Sequence, residues 1–209
     1  MEYLTYTAGA FVAIFVIVDP FSVVPIYLTL SKGHSSEQRR VTRNKASFIA
    51  GAILVAFAVT GMGIFNVFGI TLPAFQIAGG IMLLSLGLEQ LNADRDRVKA
   101  EEEQEGLDAD DISVFPLATP LLAGPGAIST VVLYASSAQS WRQLTGLVIA
   151  IGLTLAATYI LLALAPRVFK VLGRTGLNLF TRLMGIILTA VAIQFIIDGL
   201  GGAAKVYFK

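Results

Sequence analysis

The sequence predicts an all-α integral membrane protein: six transmembrane helices arranged as two inverted-topology repeats of three, with helices 1 and 4 discontinuous. Three observations predict it. Hydrophobic residues make up 56% of the chain and charged residues only 14%, against about 25% charged in a water-facing domain. The apolar residues fall into six long runs rather than alternating. Two of those runs are interrupted by paired prolines, at Asp19–Pro25 and Thr119–Pro125.

The runs lie at 5–31, 46–68, 70–91, 113–137, 144–166 and 180–201, each near the ~20 residues that span a hydrocarbon core. The first is long for one crossing and contains Asp19-Pro20-Phe21-Ser22-Val23-Val24-Pro25. Proline removes a backbone donor and clashes with the preceding turn, so the helix should open there. Asp19 lies about fourteen residues into the run, roughly 20 Å at 1.5 Å per residue, and so near mid-membrane. A carboxylate at that depth costs at least ~2.5 kcal/mol, which calls for a partner or a function. Two roles stay open for it. Asp19 meets a substrate ammonium, a cation or a coupling proton, or it caps the half-helix that starts at Pro20.

The second run carries Ala46, Ser47, Ala50 and Gly51 at four-residue spacing, small residues that let helices approach closely in lipid. The third contains Gly80-Ile81-Met82-Leu83, with Glu89 near its end as an interface residue. Residues 92–112 are charged and nearly free of apolar side chains, which reads as a solvated cytoplasmic linker. The fourth run holds Thr119-Pro120 and then Gly124-Pro125-Gly126-Ala127. Thr119 repeats the cap position without charge, and the glycines permit a turn that brings backbone close to a ligand. The fifth run is unbroken. The sixth begins at Arg182, a headgroup anchor, and contains Gly185-Ile186-Ile187-Leu188, Gln194 and Asp198. Tyr27, Tyr134 and Trp141 suit an aromatic belt.

Basic residues cluster after runs one (Lys32, Arg39, Arg40, Arg43, Lys45), three (Arg95, Arg97, Lys99) and five (Arg167, Lys170, Arg174). If all six runs cross, these clusters share one side, which the positive-inside rule makes cytoplasmic. Both termini then lie outside, in a plasma (inner) membrane. A count of four crossings, with runs one and four as re-entrant hairpins, places the third cluster opposite the others and is disfavoured.

The halves echo one another. The proline pairs are one hundred positions apart, and Gly80 precedes Glu89 by the interval that separates Gly185 from Gln194. The expected organisation is one membrane domain: repeat 1 over 1–91, the linker over 92–112, and repeat 2 with a short tail over 113–209. Each half has an odd number of crossings, so the second enters from the opposite side. Two half-helix starts facing each other would cradle a small carboxylate on their free amides. The candidate substrate-binding residues are Asp19, Pro20, Ser22, Thr119, Gly124, Pro125, Gly126, Ser129 and Thr130, with Asp19 also the candidate for a coupling proton or ion.

Other chemistry is poorly provided for. Zero cysteines exclude thiolate sites and disulfides, and one histidine leaves no Ser–His pair within the membrane. No cluster has metal-ligand spacing and no phosphate-binding GxxxxGK[ST] loop appears, so neither enzyme, metal nor cofactor is expected. A net charge of +1 without a basic stripe argues against a nucleic-acid partner. No Lys or Arg precedes the first run, and nothing after it looks like a cleavage site, so no cleavable signal is expected.

Along nearly its whole length the chain resembles the MarC/SnatA family of prokaryotic membrane proteins. The matching stretches are Asp19–Pro25, Ala78-Gly79-Gly80-Ile81, Pro116–Thr130 and Thr181-Arg182-Leu183-Met184-Gly185. The resemblance implies a six-helix inner-membrane protein with an external N-terminus. It also implies carriage of small neutral amino acids such as glycine and alanine, as attributed to the SnatA branch. Many relatives have glycine where this chain has Ser22. The expected partners are thus an amino-acid substrate, the lipid bilayer and a coupling H+ or Na+. The rivals are a channel or exporter of another small solute, and a non-transporting membrane scaffold.

Overall fold

The structure, a computed structural model, describes residues 2–92 and 111–207; nearly all of the predicted linker lies outside them. Among the described residues all regular structure is helical. Helices α1 (Glu2–Val18) and α2 (Pro20–Leu30) form a pair bent by 40°, and α5 (Ser113–Leu122) and α6 (Pro125–Ser137) form another bent by 53°. The helices α3 (Ser36–Phe68), α4 (Leu72–Asn92), α7 (Trp141–Ala163) and α8 (Ala165–Tyr207) are each long and apolar enough to cross a membrane. These make four spans, or six with each bent pair as one. The discontinuities in runs one and four are therefore where the prolines put them. One break escaped the sequence reading: Gly173, at φ 60° and ψ −175°, divides α8 into a lead-in at 165–172 and a long helix from 174.

Both α3 and α7 start on a serine cap with a glutamine three residues on. The amide of Gln38 donates to Ser35 Oγ (3.2 Å) while Ser35 N–H donates to Gln38 Oε1 (2.8 Å). In the second half Gln143 N–H donates to Ser140 Oγ (3.4 Å), and Gln143 Oε1 accepts from the amide of Gln139 (2.6 Å). The two caps are 105 residues apart (140 − 35), as are Gly80 and Gly185. So are Pro20 and Pro125, each in the first turn of its half-helix. The prolines in the first turns of α2 and α6 are thus 105 positions apart, whereas the proline pairs read along the sequence are one hundred apart.

Packing pairs the helices reciprocally. The helix α1 lies on α7 and α5 on α3; α2 lies on α8 and α6 on α4; α3 packs on α7, and α4 on α8. The α4–α8 contact is an antiparallel seam of small residues. Pro73, Gly80 and Gly87 face Gly199, Ala192 and Gly185, so closely that a β-carbon on Gly80 would sit 2.8 Å from the Ala192 carbonyl oxygen. The core surrounds the two breaks: Ile17, Val18, Val23, Val24, Leu122, Ala123 and Ala127 are all buried. Phe48, Val59 and Ile197 face outward, exposed by 77%, 75% and 56%, a surface suited to lipid rather than to water.

Candidate functional site

At the first break the chain turns on one residue. Asp19 N–H donates to Phe15 O (3.0 Å), closing the last turn of α1, and Asp19 then takes φ 42° and ψ 65°. That left-handed conformation costs an L-residue about 1–2 kcal/mol, and the short polar side chains of Asp and Asn tolerate it best. Pro20 opens α2, as expected for a proline in the first turn. The Asp19 carbonyl accepts from the amide of Ser22 (3.0 Å) and from its hydroxyl (2.9 Å). The expected side-chain cap does not form: Asp19 holds the N-cap position, but its carboxylate makes no hydrogen bond to the helix amides. Asp19 is fully buried, so its carboxylate sits in the core for some reason other than capping.

The second break is built differently. Pro116 and Pro120 each follow a residue with extended backbone, Phe115 (φ −127°, ψ 130°) and Thr119 (φ −137°, ψ 121°), and both peptide bonds are cis. With those donors missing, α5 winds as a π-type turn whose bonds reach five residues back, as from the Ala123 amide to Ala118 O (2.9 Å). Thr119 therefore does not cap a helix, contrary to the sequence reading. It lies exposed within α5, and the new helix starts five residues later, with Gly124 at the N-cap and Pro125 in the first turn. Gly124 is required by close approach: a β-carbon there would lie 2.3 Å from Pro120 O.

The second break lies against the end of α1. A β-carbon on Gly126, in the first turn of α6, would be 3.1 Å from Ile17 Cγ2 and 2.8 Å from Leu86 Cδ1. The start of α6 thus touches the last turn of α1 and the middle of α4. Neither half-helix is capped by its N-cap side chain, although the Ser22 amide donates to Asp19 O and the Ile128 amide to Gly124 O. The hydroxyls are oriented otherwise than expected. Ser22, buried, donates to Asp19 O, and the fully buried Thr130 donates to Gly126 O (2.9 Å). Their protons are engaged, and what they offer is lone pairs. Ser129 is half-buried.

Several residues here carry no polar marker and were missed in the sequence. They are Ile17 and Leu86 against Gly126, and Phe21, which stacks on Phe180 with centroids 4.7 Å apart and meets Phe15 edge-on at 6.4 Å. The weaker sequence candidates lie elsewhere. Glu89 Oε1 accepts from Ser85 (3.4 Å), and Gln194 donates to Asp198 (2.8 Å). Trp141 is exposed as a belt residue would be, whereas Tyr27 is buried.

Outside the spans, Asp111 precedes α5 and accepts hydrogen bonds from Lys45 of α3 and from the hydroxyl and amide of Ser113. The Lys45 bond first, then the Ser113 hydroxyl, hold its carboxyl down to about 2, with burial opposing them.

A family model described as MarC family integral membrane protein matches residues 4–204. The chain is 40% identical to a UPF0056 membrane protein of Methanocaldococcus jannaschii, over 96% of this chain and 98% of the relative. It is 40% identical to one of Aquifex aeolicus, over 94% and 92%, and 34% identical to the UPF0056 membrane protein YvbG of Bacillus subtilis, over 95% of each. No solved structure matches it.

Proposed function

Because the chain belongs to the MarC family of integral membrane proteins, we propose that it is a secondary transporter of small neutral amino acids of the glycine and alanine class, coupled to a proton or cation. The observation that carries this reading is the contact of Gly126 with Ile17, which brings the start of α6 against the end of α1. Opened backbone is tolerated in a bilayer only where protein buries it or a wet cavity receives it, and paired openings in corresponding positions point to a carrier's binding site. The first-turn amides of α2 and α6, at the positive ends of their dipoles, suit a substrate carboxylate. Ser22 and Thr130, whose protons are engaged, suit an ammonium donor instead, beside Asp19. Asp19 also serves as the coupling group.

The interval of 105 residues and the reciprocal packing support an inverted repeat. Gly87 approaches Gly185 as Gly80 approaches Ala192, which is the exchange that a twofold axis between the halves requires. Transport then proceeds by rocking one repeat against the other around the breaks. The basic clusters support an inner-membrane orientation with both termini outside.

Counterflow in proteoliposomes tests the proposal. Labelled glycine or alanine should exchange faster when unlabelled substrate fills the opposite side; absence of such trans-stimulation overturns the carrier reading in favour of a channel or a scaffold. Asp19→Asn keeps the backbone conformation and should lower uptake at least about tenfold, with loss of its pH dependence. Uptake and pH dependence like those of the unmodified protein would remove the charge from the mechanism.

A further inference from the structure

We propose that a phosphate-binding site, formed by Arg43, Arg39, Tyr27 and Ser31, lies at the basic end of the bundle where α2, α3 and α7 meet. The site is separate from the two breaks and does not depend on the transport reading.

Its frame is the end of α2. Ser31 follows the last turn, and its carbonyl accepts from Arg39 Nε (3.3 Å) and Nη2 (3.1 Å) and from the amide of His34 (3.1 Å). One turn further along α3, Arg43 Nη1 donates to Tyr27 Oη (3.0 Å), and the Tyr27 hydroxyl donates to Arg39 O (3.3 Å). The Arg43 guanidinium lies over the ring of Tyr159 on α7, 5.4 Å from its centroid. Three helices therefore fix two guanidinium groups, and every group fixing them is neutral. Among the described residues the salt bridges are Arg40–Glu37 and Lys45–Asp111, so neither Arg39 nor Arg43 has a carboxylate.

Two donors remain. Ser31 Oγ belongs to a fully buried residue and Arg43 Nε is itself buried; neither has a hydrogen-bond partner. Unpartnered donors beside two unpaired cations call for an oxyanion. A guanidinium fork held flat against an aromatic ring matches a phosphate's paired oxygens better than a flexible ammonium would. The position fits as well, since Arg43 stands one turn before the first small apolar-facing residues of α3, Ala46 and Ala50. A phosphate reaches such a place either as the headgroup of an anionic lipid or as a soluble ion.

Thermal unfolding of delipidated protein in detergent separates the sources. The probes are phosphatidylglycerol against phosphatidylcholine, and inorganic phosphate against chloride at equal ionic strength. A rise in melting temperature with phosphatidylglycerol alone assigns a lipid headgroup; a rise with inorganic phosphate assigns the soluble ion. Arg43→Gln should weaken the response at least about tenfold, and Ser31→Ala roughly threefold to tenfold, in line with loss of one hydrogen bond. Arg40→Gln, which alters the exposed Glu37 partner, should leave it unchanged. No shift with either probe, or an undiminished response in Arg43→Gln, overturns the proposal. Should Arg43→Gln fail to fold, Ser31→Ala decides, because it removes a donor and orphans no acceptor.

Discussion

A methyl group at Gly124 would meet the carbonyl oxygen of Pro120 at 2.3 Å, and no rotamer can move a backbone atom aside. At Gly126 the same methyl would meet Leu86 Cδ1, the far end of a flexible side chain, at 2.8 Å and the Ile17 Cγ2 methyl at the looser distance of 3.1 Å. Overpacking costs about 1–3 kcal/mol, and the upper end belongs where nothing can yield. Gly124→Ala should therefore destabilise by about 2–3 kcal/mol and Gly126→Ala by about 1 kcal/mol. Equal melting temperatures for the two variants would contradict the difference. The sequence marked both glycines, yet it put the helix start at Pro120. A proline that interrupts a helix and one that begins it look alike in a string of letters. What separates them is the fold-back of Gly124 on Pro120, a contact between residues whose identities do not announce it. Asp19 was legible as a buried carboxylate, but its left-handed backbone was not.

Between elements, the α4–α8 seam is a close helix approach that small residues permit. A β-carbon on Gly87 would lie 2.6 Å from Thr189 Oγ1 and 3.2 Å from Gly185 O, and one on Gly199 would lie 2.8 Å from Pro73 O. Helices in lipid associate through packing, and small residues permit it. Gly87→Val should thus push the two helices apart and cost about 2–3 kcal/mol. Gly152→Val on α7, where an added β-carbon has nothing within 4 Å, serves as the control and should change stability by less than about 1 kcal/mol. Detergent unfolding curves that fail to separate these variants would refute the seam. Its seven-residue spacing was visible in the sequence only as an echo between Gly80 and Gly185. The antiparallel register, which pairs Gly80 with Ala192, depends on how the spans assemble, and apolar spans of similar length can assemble in several ways. The helical class and both interruptions were legible because lipid tolerates so few backbone solutions.

At the scale of the whole molecule, an ion pair among the described residues ties α3 to the start of α5: Lys45 of α3 holds Asp111 ahead of α5. The carboxyl of Asp111 is lowered from 3.8 to about 2, so its contribution to stability is complete above pH ~4 and disappears as pH falls through about 2. Lys45 and Asp111 are 49% and 42% exposed, and solvent screening limits the contribution to no more than about 1 kcal/mol. Asp111→Asn should accordingly lower stability slightly at neutral pH and flatten the acid limb between pH ~4 and ~2. An acid limb identical to that of the unmodified protein would remove the ion pair from the account. The correspondence of 105 residues also sets Asp19 against Gly124, and of these two positions only one can ionise. A perfectly self-similar carrier would rest equally often with either mouth open. In the proposed carrier the balance is loaded on one arm, so the single carboxylate of Asp19 is the weight that sets which way the molecule faces.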